Sequence, residues 1–335
     1  MRRLLIPRPI SAGLLLSYKC SGSCRHCLYA CSPRWRSDWL QSADAEIILR
    51  QLARSIQPVG QTGLGVNSGL HLSGGEPFLN YEHLLTVVAL ARQLGIRSTF
   101  VETNSFWCTD DQSAREKLSR LKEAGLQGML ISANPFVVEH VPFSRTVRAA
   151  RIGLEVFAGN VMVYQSIFFR QLQQMGVEGT LSLEEYLERA PHALQNAELL
   201  PGGRVPYRLA ELFERRPAEH FAGASCYHEL VRDWHVHVDN YGHYIPGYCA
   251  GLSLGDARDL SALCEEGVDL DQRPVLGALL TGMSELFRLG RDHGYPPKPG
   301  YVSKCHLCLD VRRHLSRTGR FAELQPREFY EHLED

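Results

Sequence analysis

No stretch of this 335-residue sequence holds the roughly 18 consecutive apolar residues that a membrane-spanning helix needs. Nor is one sign of charge in excess: 36 lysines and arginines face 37 aspartates and glutamates, a formal net charge of -1. That balance supplies no general attraction for nucleic acid or an anionic membrane, so neither is expected as a partner. Internal repeats and low-complexity tracts are missing too, and the hydrophobic and charged fractions set aside disordered, collagen-like and coiled-coil compositions. A secretory signal is also lacking. Met1 to Ile6 begins like one, but Pro7, Arg8 and Pro9 interrupt it and no small-x-small cleavage site follows. Tyr18 and Lys19 are wrong for a lipoprotein cleavage site before Cys20. The expected compartment is the cytoplasm.

What the sequence does have is core material and thiols. It is 44% hydrophobic and 22% charged, enough for one large domain or two ordinary ones at ~150 residues each. Its ten cysteines read, in a cytosolic chain, as metal ligands or redox groups rather than disulfides. Cys20, Cys24, Cys27 and Cys31 cluster at one end and Cys305 and Cys308 at the other. Cys226, Cys249 and Cys264 lie between, and Cys108 stands alone as an expected buried small hydrophobe.

Over the first two-thirds, short apolar runs alternate with helical patterns. Strands are expected at Ile10 to Tyr18, Leu70 to Ser73, Ser98 to Thr103, Met129 to Ile131 and Val161 to Tyr164. Helices are expected at Ala45 to Ile56, Tyr81 to Leu94, Ser113 to Ala124, Thr146 to Phe157, Ile167 to Met175 and Leu183 to Arg189. This alternation predicts βαβ units and a parallel sheet, open or barrel-like, with chemistry at the loops after the strand ends. After Pro201-Gly202-Gly203 the rhythm changes. Trp234 to Val238 and His243 to Ile245 read as a hairpin around Asn240-Tyr241-Gly242 in a smaller module, with helical segments at Val275 to Asp292 and Leu307 to Leu315.

Cys20, Cys24 and Cys27 have the spacing C-x3-C-x2-C directly after the first strand, and Gly22 eases the bend. Three thiolates on a [4Fe–4S] cube leave one iron open to a chelating ligand. With Cys31 the spacing extends to C-x3-C-x2-C-x3-C, which would instead close the site around zinc or a cluster. The second strand ends in Gly74-Gly75-Glu76-Pro77. Alone this is a common turn; its glycines admit close backbone approach to a ligand, and Glu76 can accept from an ammonium group.

Together the two motifs resemble the radical S-adenosylmethionine (radical SAM) superfamily. The resemblance covers roughly residues 10 to 200 and implies a partial (β/α)6 barrel within an α/β fold. It implies Cys20, Cys24 and Cys27 as ligands of a [4Fe–4S] cluster whose open iron chelates SAM, and Gly74, Gly75, Glu76 and Pro77 as the segment at the methionine end of SAM. His26 stands where relatives usually have an aromatic residue. Further SAM contacts are implied at Asn104, in Thr103-Asn104-Ser105, and at Ser132, in Ser132-Ala133-Asn134; either stretch would also serve as a polar strand cap. Gly202-Gly203-Arg204 is similar to a Gly-Arg turn seen after the last barrel strand in some relatives.

Cys226, Cys249, Cys305 and Cys308 form a second set, fit for an auxiliary [4Fe–4S] cluster or for zinc. Their arrangement around Gly242 resembles the SPASM module and its shorter form, twitch, although Cys264 would also serve as a ligand. The implied division is a core barrel over 1–205 and an α+β auxiliary-cluster module over 206–335. Within the hairpin, Asp233, His235, His237 and Asp239 share one face under the two-residue period. That row would either face solvent or hold a polar substrate. His306 is expected to point away from its flanking cysteines, and Tyr227, Tyr241 and Tyr248 would line a cavity or pack the core.

The resemblance implies reductive cleavage of SAM to a 5′-deoxyadenosyl radical that abstracts hydrogen from a peptide or a small molecule. The auxiliary cluster would assist electron transfer, and a flavodoxin or ferredoxin would be the reductant. The first strand starts about ten residues in, so no peptide-recognition domain of ~80 residues is expected before it. The contrasting class is a non-catalytic iron–sulfur or zinc protein, either an electron carrier or a metal-stabilised binding module, in which Cys31 joins the first metal site.

Overall fold

The computed structural model describes residues 2–58 and 65–335. Five parallel strands, β1 (Ser11–Leu15), β2 (Gly69–Ser73), β3 (Thr99–Thr103), β4 (Gly128–Ser132) and β5 (Val161–Tyr164), lie side by side in chain order. The crossovers carry α1 (Ser42–Leu52), α2 (Tyr81–Gln93), α3 (Asp111–Ala124) and α4 (Phe143–Phe157). Each helix buries an apolar stripe, as Ile48, Leu49 and Leu52 do in α1 and Val87, Val88 and Ala91 in α2. Local signals set the ends: the Asp110 carboxylate accepts from the Ser113 N–H at 2.8 Å to start α3. After β5 come α5 (Ser166–Gln174) and α6 (Leu183–Arg189), the latter opened by a Ser182–Glu185 capping box.

A sixth parallel strand, β6 (Val236–Val238), pairs with the other edge of β1, and β7 (Tyr244–Ile245) returns antiparallel to it. The sheet order is therefore β5-β4-β3-β2-β1-β6-β7. This α/β architecture is the expected fold class. The hairpin read as part of a separate module is instead hydrogen-bonded into the main sheet. Ala12, Gly13 and Leu14 stand opposite Val236, His237 and Val238. All five residues of β1 are buried, and an unpaired edge there would strand backbone donors and acceptors away from water. The hairpin row is accordingly not a solvated face: His237 and Asp239 are buried.

The helical segment expected over Val275 to Asp292 is two helices, α7 (Pro274–Thr281) and α8 (Met283–Asp292). Gly282 divides them with φ of 154°, which an L side chain rarely adopts. The last long helix, α9 (Lys304–Ser316), starts earlier than its apolar pattern suggests because the Ser303 hydroxyl caps it, accepting from the His306 N–H.

Candidate active site

A cavity of about 400 Å³ opens at the C-terminal ends of the parallel strands, within the usual size for a small-molecule site. Cys20, Cys24, Cys27, Gly74, Gly75, Asn104 and Ser132 all line it, together with Cys31 and His26. The lining also includes Tyr29, Glu102, Tyr164, Glu198, His235, His237 and Tyr248. The two motifs separated by some 50 residues thus meet because β1 and β2 are neighbours in register, with Leu15 opposite Ser73.

The cysteine loop is held from behind by Arg204, whose side chain is fully buried. Its guanidinium donates to the carbonyls of Cys24 (3.3 Å), Ala30 (2.9 Å), Cys31 (2.9 Å) and His332 (2.9 Å). Its backbone N–H adds a bond to the Cys27 carbonyl at 3.1 Å. A rigid planar fork suits several carbonyls at once in a way a lysine cannot. The sequence pointed to this residue only through a Gly-Arg turn.

The donor set fits an iron–sulfur cube better than a single ion. Burial, reinforced by the Glu76 carboxylate, pushes the Cys20 thiol up to about 12, and burial likewise raises Cys24. Only a strongly cationic centre draws thiolates from such a site. Cys27 is pulled the other way, first by the hydrogen bond from the Cys31 thiol, then by the Arg204 charge and by the Cys31 N–H, 3.3 Å from its sulfur. Among the described residues no three cysteine sulfurs lie within 4.8 Å of one another, whereas a tetrahedral zinc with Zn–S ~2.3 Å brings them to about 3.8 Å. The Asn104 amide points at the Cys20 sulfur from 3.7 Å and donates to the Ser21 hydroxyl at 2.9 Å. His26 stacks on Phe136, its Nε2 lies 3.2 Å from the Asn134 amide, and its buried Nδ1 has no partner.

Glu76 and Pro77 lie outside the cavity lining. The Glu76 carboxylate turns into the protein, accepting from the Phe78 N–H (3.2 Å), the Thr103 hydroxyl (2.9 Å) and the Asn104 N–H (2.8 Å). It therefore ties the end of β2 to the end of β3 and presents Asn104. Burial outweighs these bonds and pushes the carboxyl up to about 7. Because the folded pKa exceeds the unfolded one, its contribution to stability is complete below about pH 4.5 and is lost as pH rises through about 7. The Glu76 share should show as a difference: relative to Glu76→Gln, the SAM-free protein should lose stability as pH rises from about 4.5 through about 7. The buried neutral histidines His71 and His237, whose pKa burial lowers, act in the opposite direction in both proteins. Urea midpoints across the window check this.

Cys226, Cys249, Cys305 and Cys308 face one another, since each of Cys226, Cys249 and Cys305 has Cys308 among its main electrostatic neighbours. Cys264 lies apart, beside Arg8 and Glu265. Arg312 is buried against Cys308 and Cys249. It donates to the Ala250 carbonyl and the Tyr330 hydroxyl, while its Nε has no partner. A buried cation with a spare donor beside four thiols suits an anionic centre. His306 does point away from the thiols but is buried, its Nδ1 accepting from the Val302 N–H. Cys108 is fully buried. Of the three tyrosines, Tyr248 lines the cavity, Tyr241 packs near Tyr18, and Tyr227 is half exposed. Asp239 is a turn anchor for Tyr18, Tyr241 and His243. Sequence reasoning passed over His71 and Glu102 altogether. Their only signal is a polar side chain inside an apolar strand.

The sheet of parallel strands thus brings three cysteines and a Gly-Gly edge together at one mouth. Residues 14–146 match the family described as the Radical SAM superfamily, a match that brings a [4Fe–4S] cluster and SAM as cofactors. No curated protein matches the chain. Similar solved structures include native anSMEcpe with bound AdoMet (13% identity, 97% of this chain and 96% of that one, TM-score 0.45). BtrN in complex with AdoMet and 2-DOIA shares 13% identity over 84% of this chain and 89% of its own, with a TM-score of 0.43. Streptococcus suis SuiB bound to S-adenosylmethionine shares 12% over 84% and 72%, with a TM-score of 0.38. Among the described residues, no helix is long and apolar enough to cross a membrane.

Proposed function

We propose that Cys20, Cys24 and Cys27 hold the cluster and that the protein is a hydrogen-abstracting enzyme acting on a small polar molecule or a peptide segment. When bound, the cluster and SAM supply a 5′-deoxyadenosyl radical on receipt of one electron from a flavodoxin- or ferredoxin-type reductant. The observation that carries the reading is the meeting of the cysteine loop, Gly74-Gly75 and Asn104 in one cavity whose lining also includes further polar side chains. There Gly74 and Gly75 give SAM access to bare backbone, and Asn104 and Ser132 offer polar contacts. Glu102, Tyr164, Glu198 and Tyr248 would orient the substrate and exclude water.

The second cysteine set is assigned an auxiliary [4Fe–4S] cluster. Tyr248 lines the cavity and the next residue, Cys249, belongs to that set, so an electron leaving the substrate has one residue of chain to pass. The test is an anaerobic iron and sulfide count followed by an assay for 5′-deoxyadenosine after dithionite reduction. About eight irons per chain with SAM cleavage is expected; no cleavage by cluster-loaded protein would sink the enzymatic reading. In the same assay Cys31→Ala should keep its irons and its cleavage, whereas Cys27→Ala should lose about four irons and all cleavage. Loss of the first cluster in Cys31→Ala would favour a closed, non-catalytic site.

A further inference from the structure

Three histidines are left unexplained by this reading, two in the cavity lining and one, His71, buried. His71 on β2, His237 on β6 and His235 just before β6 converge so that one ring nitrogen of each lies within 4.8 Å of the other two. Among the described residues no other trio of histidine, cysteine or carboxylate groups comes so close. His71 Nε2 and His237 Nε2 are 3.1 Å apart. Two nitrogens on one cation at ~2.0–2.1 Å stand about 3.0–3.4 Å apart.

The ring orientations are fixed by backbone. His235 Nδ1 lies 2.8 Å from the Val66 carbonyl and His237 Nδ1 lies 3.2 Å from the Gly247 carbonyl. A carbonyl oxygen only accepts, so both rings carry their proton on Nδ1 and leave Nε2 bare. An outer-shell carbonyl that fixes the tautomer of an imidazole is the usual support of a metal ligand. His235 reaches its place with φ of 52°, a left-handed conformation uncommon for a residue with a side chain, and its N–H is held by the Ser11 hydroxyl at 2.7 Å.

The sheet makes room for the cluster at one position. Gly13 on β1 stands opposite His71 on one side and His237 on the other. A Cβ there would sit 2.1 Å from His71 Nε2 and 2.5 Å from a carbon of the His237 ring. With no side chain between them, imidazoles from two strands that flank a third lean together over it. A carboxylate completes the surroundings: Glu102 Oε1 is 3.9 Å from His71 Nε2, and its other oxygen is fixed by the Ser73 hydroxyl at 2.8 Å.

We propose that His71, His235 and His237 bind a divalent first-row transition cation, with Glu102 in reach as a fourth ligand. Neutral imidazoles suit zinc or ferrous iron. His235, His237 and Glu102 all line the cavity, so the ion offers its remaining positions to an oxygen or nitrogen donor of the substrate and anchors it beside the SAM site. Nothing in this assignment depends on SAM cleavage.

The test uses anaerobically purified, cluster-loaded protein equilibrated with Zn(II) and freed of loosely held ions. Metal analysis and zinc-edge X-ray absorption should find one zinc per chain with nitrogen and oxygen neighbours only and the outer scattering of imidazole. His71→Gln and His237→Gln should each weaken zinc binding by about 100-fold, at least what loss of an outer-shell partner costs, with iron content unchanged. Absence of stoichiometric zinc, zinc with sulfur neighbours, or undiminished zinc in both variants would overturn the proposal. If a variant misfolds, the coordination seen in the unaltered protein still decides. Nitrogen-bound zinc without deoxyadenosine formation would defeat the proposed enzyme and leave this site standing; the converse result would do the reverse.

Discussion

Arg204→Ala is expected to yield a protein that cannot keep its first iron–sulfur cluster. Four carbonyls of the cysteine loop and its support lose their side-chain donor at once. The carbonyls of Cys24, Ala30 and His332 keep the Cys27 N–H, the Trp35 indole and the Asp335 N–H, so only that of Cys31 is left alone. That costs about 1–3 kcal/mol, and the lost packing of a fully buried side chain adds to this. Iron per chain should fall by about four while the second set stays loaded. Arg204→Lys should fare little better, because an ammonium is a point charge and cannot span carbonyls that face a planar fork. Iron counts with chemical denaturation of both variants check this; retention of the full iron content in Arg204→Lys would mean that charge alone matters.

Gly75→Ala should be the most damaging single methyl group at the SAM edge. A Cβ there would lie 1.9 Å from the Lys19 carbonyl oxygen and 2.3 Å from its carbon. Both contacts are backbone, so no rotamer relieves them. The Gly75 N–H bonds the Ser17 carbonyl and the Glu76 N–H bonds that of Lys19, so the turn after β2 and the start of the cysteine loop must separate together. Overpacking costs about 1–3 kcal/mol, and displacement by ~1 Å at a reacting centre costs about 100-fold in rate. Deoxyadenosine formation should fall by about that factor with cluster content largely kept. An unchanged rate would show that the two segments move freely.

What was legible in the sequence was what is local. The cysteine spacing, the Gly-Gly-Glu-Pro turn and the alternation of strands with helices are short-range patterns, and the first five strands sit within a few residues of where apolar runs place them. Arg204 was faint because its partners lie some 170–180 residues earlier and, at His332, 128 residues later, and nothing near it in the chain declares them. His71 was invisible for the same reason. One imidazole in Leu70-His71-Leu72 is unremarkable until β1 and β6 bring Gly13 and His237 alongside. The hairpin's alternation was correctly seen, but alternation says which residues share a face and not what covers it. The break at Gly282 went unread because the apolar residues on both sides continue the helical pattern across it.

The loop around the cysteines also draws on the far end of the sequence. The Ser32 hydroxyl donates to Asp335 at 3.0 Å, Trp35 stacks on His332, and the Arg36 N–H bonds Glu328. Synthesis runs the other way: residues 20–31 leave the ribosome hundreds of residues before the segment that braces them. Their thiols must therefore wait, reduced and without their final scaffold, until translation has passed residue 335. Assembly of the proposed cluster on this loop would then follow chain elongation, and oxidation of the nascent thiols would compete with it.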